Sequence, residues 1–258
     1  MNWLLVTLLV VVALPGILWV VPRSLRNFLE TAADRQEADR ELPSFRVLVL
    51  VSIVQSTVLV AVAAAVGAYT APAAGLEAPF FEALVTRRGI WPALAPQLVP
   101  AVALSVFGSA IFLVAYYGLF RPRLDAKTVA VMEGLRLDLG ILGRVLYGGV
   151  AEEILARWGL MSLLAWVGVL VVGTPTPAVA WTAIVVAGVL FGLGHLPSYL
   201  AAGGRRTPLF IATMLSLNLW ASLLFGWLFW QYGLAAAILS HALFHCFWLP
   251  FDVHFAQE

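Results

Sequence analysis

Six side chains carry the chemical possibilities of this chain. In a sequence that is 62% hydrophobic and 11% charged, Glu152, Glu153 and Arg157 share one long apolar run, His195 sits in the next, and His241 and His245 sit in the last. A charged side chain at the centre of a bilayer costs about 2.5 to 3.5 kcal/mol on insertion scales, so a Glu-Glu-x-x-x-Arg cluster must face protein or water and is a functional candidate by default. The chemistry on offer is proton transfer, with a carboxylate in a poorly solvated site as general base. The bland alternatives are an ion pair that joins helices, and histidines that bond neighbouring helices or sit at the interface.

Helical spacing divides the roles. Glu153 and Arg157 are four residues apart with the acid first, the favoured orientation for an intrahelical pair. Glu152 lies about 100° around the helix and lacks that partner. Glu152 is therefore the candidate base, and Glu153 with Arg157 the candidate support. Gly148 and Gly149, one turn earlier, would let another helix approach closely, as would Gly192 and Gly194 in Phe191-Gly-Leu-Gly-His195. His241 and His245 are four residues apart and share one helical face within reach of one group. Cys246, the single cysteine, and His254 read as bland.

These residues need elements to hold them. About 160 apolar residues, at roughly 20 per membrane span, allow at most about eight spans and exclude a soluble globular enzyme. Apolar runs broken by proline and charge predict an all-α, polytopic bundle of about seven spans, near 2–21, 47–71, 98–120, 141–173, 178–197, 209–231 and 234–251. The first run reads as an uncleaved anchor, because its basic residues follow it. The mixed-charge stretch from Arg23 to Arg46 reads as a solvated helix or loop. Basic residues in alternate connections divide twelve to two, which places the N-terminus outside and the C-terminus in the cytoplasm of a cell-membrane protein. Arg144 is expected to snorkel to the cytoplasmic interface, with Glu152 about 12 Å below it. His245 and His241 then lie about 8 and 14 Å from the same face, so all the candidates share the cytoplasmic half of the bilayer. With a net charge of +1 there is no basic surface for nucleic acid. The partners expected are membrane lipid and a membrane-associated protein or peptide.

Glu152-Glu153-Ile-Leu-Ala-Arg157, then Phe191-x-x-x-His195, then His241-x-x-x-His245, resemble the three motifs of the CPBP intramembrane proteases, the CAAX-protease and bacteriocin-processing family related to Rce1. The resemblance covers about residues 137 to 252. It implies a protease core over 137–258 with about four spans, preceded by a transmembrane region over 1–136 with about three. It also implies peptide-bond hydrolysis, with Glu152 and His195 activating a water and His241 with the last motif residue stabilising the oxyanion. That last position is usually Asn or Asp in the family and is His245 here. An imidazole can donate to an oxyanion, and it can equally ligate a metal.

Zinc is thus a second option, with His195, His241 and His245 as three ligands and Glu152 as base. Ligand histidines need acceptors on their other ring nitrogens, and the last two spans offer few acids, so the metal-independent arrangement is the one expected and no cofactor is favoured. The sequence holds no His-Glu-x-x-His and no Gly-x-Ser-x-Gly. Two rival functions are a transporter with a Glu/His proton relay and an inert immunity or scaffold protein. The relay reading is disfavoured because the first three spans hold none of the six residues.

Overall fold

An unpaired backbone N–H or C=O in hydrocarbon costs several kcal/mol, so apolar runs of this length close their hydrogen bonds within themselves as helices. The computed structural model describes residues 1–34 and 43–256, and among these it contains helices and turns but no strand. The helices are α1 (Trp3–Asp34), α2 (Phe45–Thr70), α3 (Pro79–Thr86), α4 (Ile90–Leu113), α5 (Ala126–Gly143), α6 (Ser162–Val172), α7 (Pro177–Ala201), α8 (Pro208–Tyr232) and α9 (Leu234–Phe255). A π-helical stretch, Val114–Phe120, extends α4, and two more, Arg144–Glu152 and Ile154–Met161, join α5 to α6. Seven segments among the described residues are long and apolar enough to cross a membrane: Trp3–Glu30, Phe45–Thr70, Ile90–Arg123, Ala126–Val172, Pro177–Ala201, Pro208–Tyr232 and Leu234–Phe255. The all-α bundle of about seven spans is as expected.

The boundaries differ in instructive ways. α1 continues through Arg23 and Arg26 to Asp34, so the first part of the mixed-charge stretch is helical; Arg35, Glu37, Asp39, Arg40 and Glu41 lie outside the described residues. α4 starts at Ile90 and carries Pro96 and Pro100 inside it, where membrane helices tolerate proline because neighbours re-pair the freed groups. The short α3 was not expected. Its Phe81 and the preceding Leu76 and Ala78 are buried, and it closes over the turn between α8 and α9. Gly233 makes that turn at φ 105°, and a Cβ there would come within 2.5 Å of Pro79 Cδ.

The 47-residue fourth segment, Ala126–Val172, is bent at Gly140, whose φ of 60° and ψ of 178° break the helix. The part after the bend corresponds to the span expected from residue 141. α1 and α9 pack against Arg144–Glu152, α2 packs against Ile154–Met161, and α7 lies along α8 and against Ile154–Met161. The expected close approach occurs at Gly149, where a Cβ would sit 3.0 Å from Ala242 Cβ of α9, and at Gly192, 3.2 Å from Asn218 Cβ of α8. Gly194 has no neighbour within 4 Å and plays no such part.

Candidate active site

The acidic pair lies where the helix is widened. The two π-helical stretches meet at Glu153, and such bulges are frequent at functional sites. Glu153 is fully buried, and its Oε1 accepts a hydrogen bond from His241 Nδ1 at 2.7 Å. Its Oε2 lies 3.3 Å from Arg157 Nε, a charge contact without hydrogen-bond geometry. Arg157 Nη2 donates to Ser222 Oγ at 3.0 Å, and its guanidinium lies 5.3 Å from the Phe191 ring and 5.6 Å from the Phe225 ring. The expected i, i+4 pair is present, and the same carboxylate also holds His241, a cross-helix role that spacing within one helix does not reveal. The His241 ring is stacked between Phe225, at 4.6 Å, and His245, at 4.8 Å.

Glu152 points elsewhere. Its Oε1 stands 3.8 Å from His195 Nε2, and both side chains keep some exposure, 19% and 30%. That separation is too long for a direct hydrogen bond. His195 Nδ1 lies 2.8 Å from the Phe191 carbonyl oxygen. A carbonyl only accepts, so Nδ1 carries the hydrogen, and in the neutral ring Nε2 is left as an acceptor. Two proton acceptors thus face one small space. Phe191 also packs edge-on against the imidazole at 4.5 Å.

His241 and His245 bring their Nε2 atoms together over Gly148. A Cβ on residue 148 would come within 2.8 Å of His245 Nε2 and 3.8 Å of His241 Nε2. His245 Nδ1 is buried without a hydrogen-bond partner, and the ring stacks on Trp248 at 6.1 Å. A bare imidazole nitrogen is easier to bury than an unpaired N–H, which favours the tautomer that carries its hydrogen on Nε2. One cavity of about 580 Å³ is lined by Gly148, Glu152, Arg157, His195, His241 and His245, while Glu153 stands behind its wall. The six residues singled out in the sequence therefore meet at one place.

The zinc option has a mixed outcome. Contrary to expectation, two of the three histidines do have acceptors: Glu153 supplies one to His241 and the Phe191 carbonyl supplies one to His195. Both acceptors lie outside the last two spans. Yet among the described residues no three His, Cys, Asp or Glu side chains gather as a metal-binding group, so the positions as they stand do not fit the ion.

One expectation is overturned. Arg144 does not snorkel: it is buried, donating from Nη2 to Asp252 Oδ2 at 2.7 Å and from Nε to the Arg136 carbonyl at 3.0 Å. Asp252, itself fully buried, also accepts from Arg136 Nη2 at 2.8 Å and from Tyr117 OH at 2.8 Å. Arg136 Nη2 further reaches Tyr116 OH at 3.1 Å, and the neighbouring Arg121–Glu133 pair is 2.7 Å apart. A buried ionic partner removes the reason to snorkel. The signal was present in the sequence, since Asp252 follows His245 by seven residues and so lies on the same face of α9. Both arginines also line the cavity.

Comparison with known proteins adds one match. Residues 135–247 match the family described as Rce1-like, type II CAAX prenyl endopeptidase. No curated protein and no solved structure matches the chain. The matched stretch, a little under half of the chain, contains the acidic pair, Arg157, His195, His241 and His245, so motif order, convergence in one cavity and the similarity over residues 135–247 to the Rce1-like family point the same way.

Proposed function

We propose that the protein is a metal-independent intramembrane endopeptidase that cuts a membrane-associated, prenylated peptide or protein near the cytoplasmic face, with the C-terminus of the enzyme in the cytoplasm. The observation that carries this reading is the facing pair Glu152 Oε1 and His195 Nε2, 3.8 Å apart in a cavity. One water can donate a hydrogen to each of these acceptors. Glu152 takes a proton as the water oxygen attacks the peptide carbonyl carbon. The carbonyl oxygen, now negative, accepts from His245 Nε2–H and from His241 Nε2–H when that ring is protonated. Glu153, accepting from His241 Nδ1, stabilises the imidazolium and fixes its orientation, and Arg157 fixes Glu153. Return of the proton from Glu152 to the amide nitrogen breaks the carbon–nitrogen bond and releases the amine. The prenyl group enters this reading through the family description alone.

The experiment is cleavage of a farnesylated peptide by purified protein in lipid, with mass spectrometry of the products. Wild-type protein should release a discrete C-terminal fragment, and Glu152→Gln should release none while remaining folded. Undiminished cleavage by Glu152→Gln would remove the carboxylate from the mechanism.

A further inference from the structure

The cavity has two electrostatic ends. Glu152 closes the π-helical stretch that Arg144 opens, so the two are separated by eight residues and at most about 12 Å of helix rise. At the Arg144 end, Arg121, Arg136 and Arg144 stand against Glu133 and Asp252, three positive charges to two negative, all held by the contacts described above. Arg136 and Arg144 keep only 7% and 1% of their side-chain surface exposed. Arg144 Nη1 has no hydrogen-bond partner, and neither has Nε1 of Trp248, whose ring centre lies 5.9 Å from the Arg144 guanidinium. The single buried carboxylate of Asp252 is shared by two guanidinium groups and cannot neutralise both. Uncompensated buried charge is costly, and surplus N–H donors raise that cost further.

Resting on the peptidase reading, we infer that the Arg136–Arg144 end of the cavity receives the C-terminal carboxylate of the peptide being cut, so that these two arginines set which chain ends are accepted. The substrate's anion supplies the missing negative charge. The opposite end repels it, because Glu152 is itself an acid. This polarity orients the peptide with its terminus at the arginines and an internal bond at Glu152. An extended chain advances about 3.3 to 3.6 Å per residue, so the space between the two ends spans about three to four residues. Tyr147 and Tyr199 line the intervening wall.

The test compares a fluorescent farnesylated peptide ending in a free carboxylate with the same peptide ending in an amide, bound to Glu152→Gln protein so that both stay intact. The acid should bind about tenfold or more tightly than the amide. Arg144→Gln and Arg136→Gln, each introduced into Glu152→Gln, bring the cluster to zero net charge and should take the acid-to-amide ratio towards one. Asp252 retains one guanidinium partner in each variant. The ratio is read on whatever fraction is folded, so partial loss of protein does not obscure it. Equal binding of acid and amide, binding of neither, or a ratio that survives both substitutions would overturn the inference. Cleavage by wild-type protein is scored separately: equal cleavage of both peptides would keep the peptidase and sink the carboxylate site, whereas acid-selective binding without cleavage would do the reverse.

Discussion

Replacing Glu153 by Gln separates the support role of this acid from the base role of its neighbour. Glu153 is fully buried, with Arg157 Nε at 3.3 Å and His241 Nδ1 at 2.7 Å. Gln keeps the shape and can still accept from His241. What it removes is the negative charge opposite Arg157, which is 3% exposed and otherwise bonded to the neutral Ser222 hydroxyl. Leaving one partner of a buried pair uncompensated costs about 3 to 5 kcal/mol. For a chain of this size each kcal/mol moves the melting temperature by about 2 to 4 °C, so Tm should fall by about 6 to 20 °C. The assay is thermal unfolding in detergent, read by intrinsic tryptophan fluorescence. The double variant Glu153→Gln/Arg157→Met removes both charges and should regain most of the lost stability. Its activity should stay low, because His241 then faces an amide in place of a carboxylate. A Tm for Glu153→Gln within about 2 °C of wild type, or a double variant no better than the single, would refute the buried-pair argument.

Further outcomes follow from other parts of the molecule. Gly148→Ala puts a Cβ within 2.8 Å of His245 Nε2 and should lower turnover by about tenfold or more, consistent with a displacement of about 1 Å, as measured by peptide cleavage on folded protein. Asp252→Asn strips the carboxylate from two buried guanidinium groups and should destabilise by about 3 to 5 kcal/mol, measured by thermal unfolding. Asp125 caps α5 by accepting from the Thr128 hydroxyl and N–H, and these bonds, the hydroxyl first, hold its carboxyl below the ordinary carboxylate range. The cap is therefore fully present above that range and lost as pH falls through the lowered value. The Tm difference between wild type and Asp125→Ala should be constant at neutral pH and shrink only in acid. A reporter at the C-terminus should be cytoplasmic and one beside the exposed Arg87 external, as scored by impermeant labelling.

The convergence of Glu152, His195, His241 and His245 was legible because each is an anomaly: an ionisable group in an apolar run must find a polar place, and one bundle has few such places. Glu153 with Arg157 was legible for a different reason, the local i, i+4 rule. The bond from His241 to Glu153 was not, because it depends on how α9 docks against Gly148 and Gly149. The Asp252 cluster was missed by treating Arg144 as an interface residue. Orientation arguments count arginines without asking whether one has a buried partner, and here Asp252 provides it. Helix ends blurred at prolines, since Pro22, Pro96 and Pro250 all lie inside helices. The bend at Gly140 explains why the span beginning at 141 was recognisable within a helical segment that starts at Ala126.

The central claim, that Glu152 is the base that activates water, is tested most directly by single-turnover hydrolysis in H₂¹⁸O using wild-type and Glu152→Gln protein in native membranes. The account predicts one ¹⁸O atom in the newly formed carboxylate of the wild-type product, and loss of at least about a thousandfold in rate for Glu152→Gln at unchanged thermal stability. Cleavage by Glu152→Gln at a rate near that of wild type would contradict it.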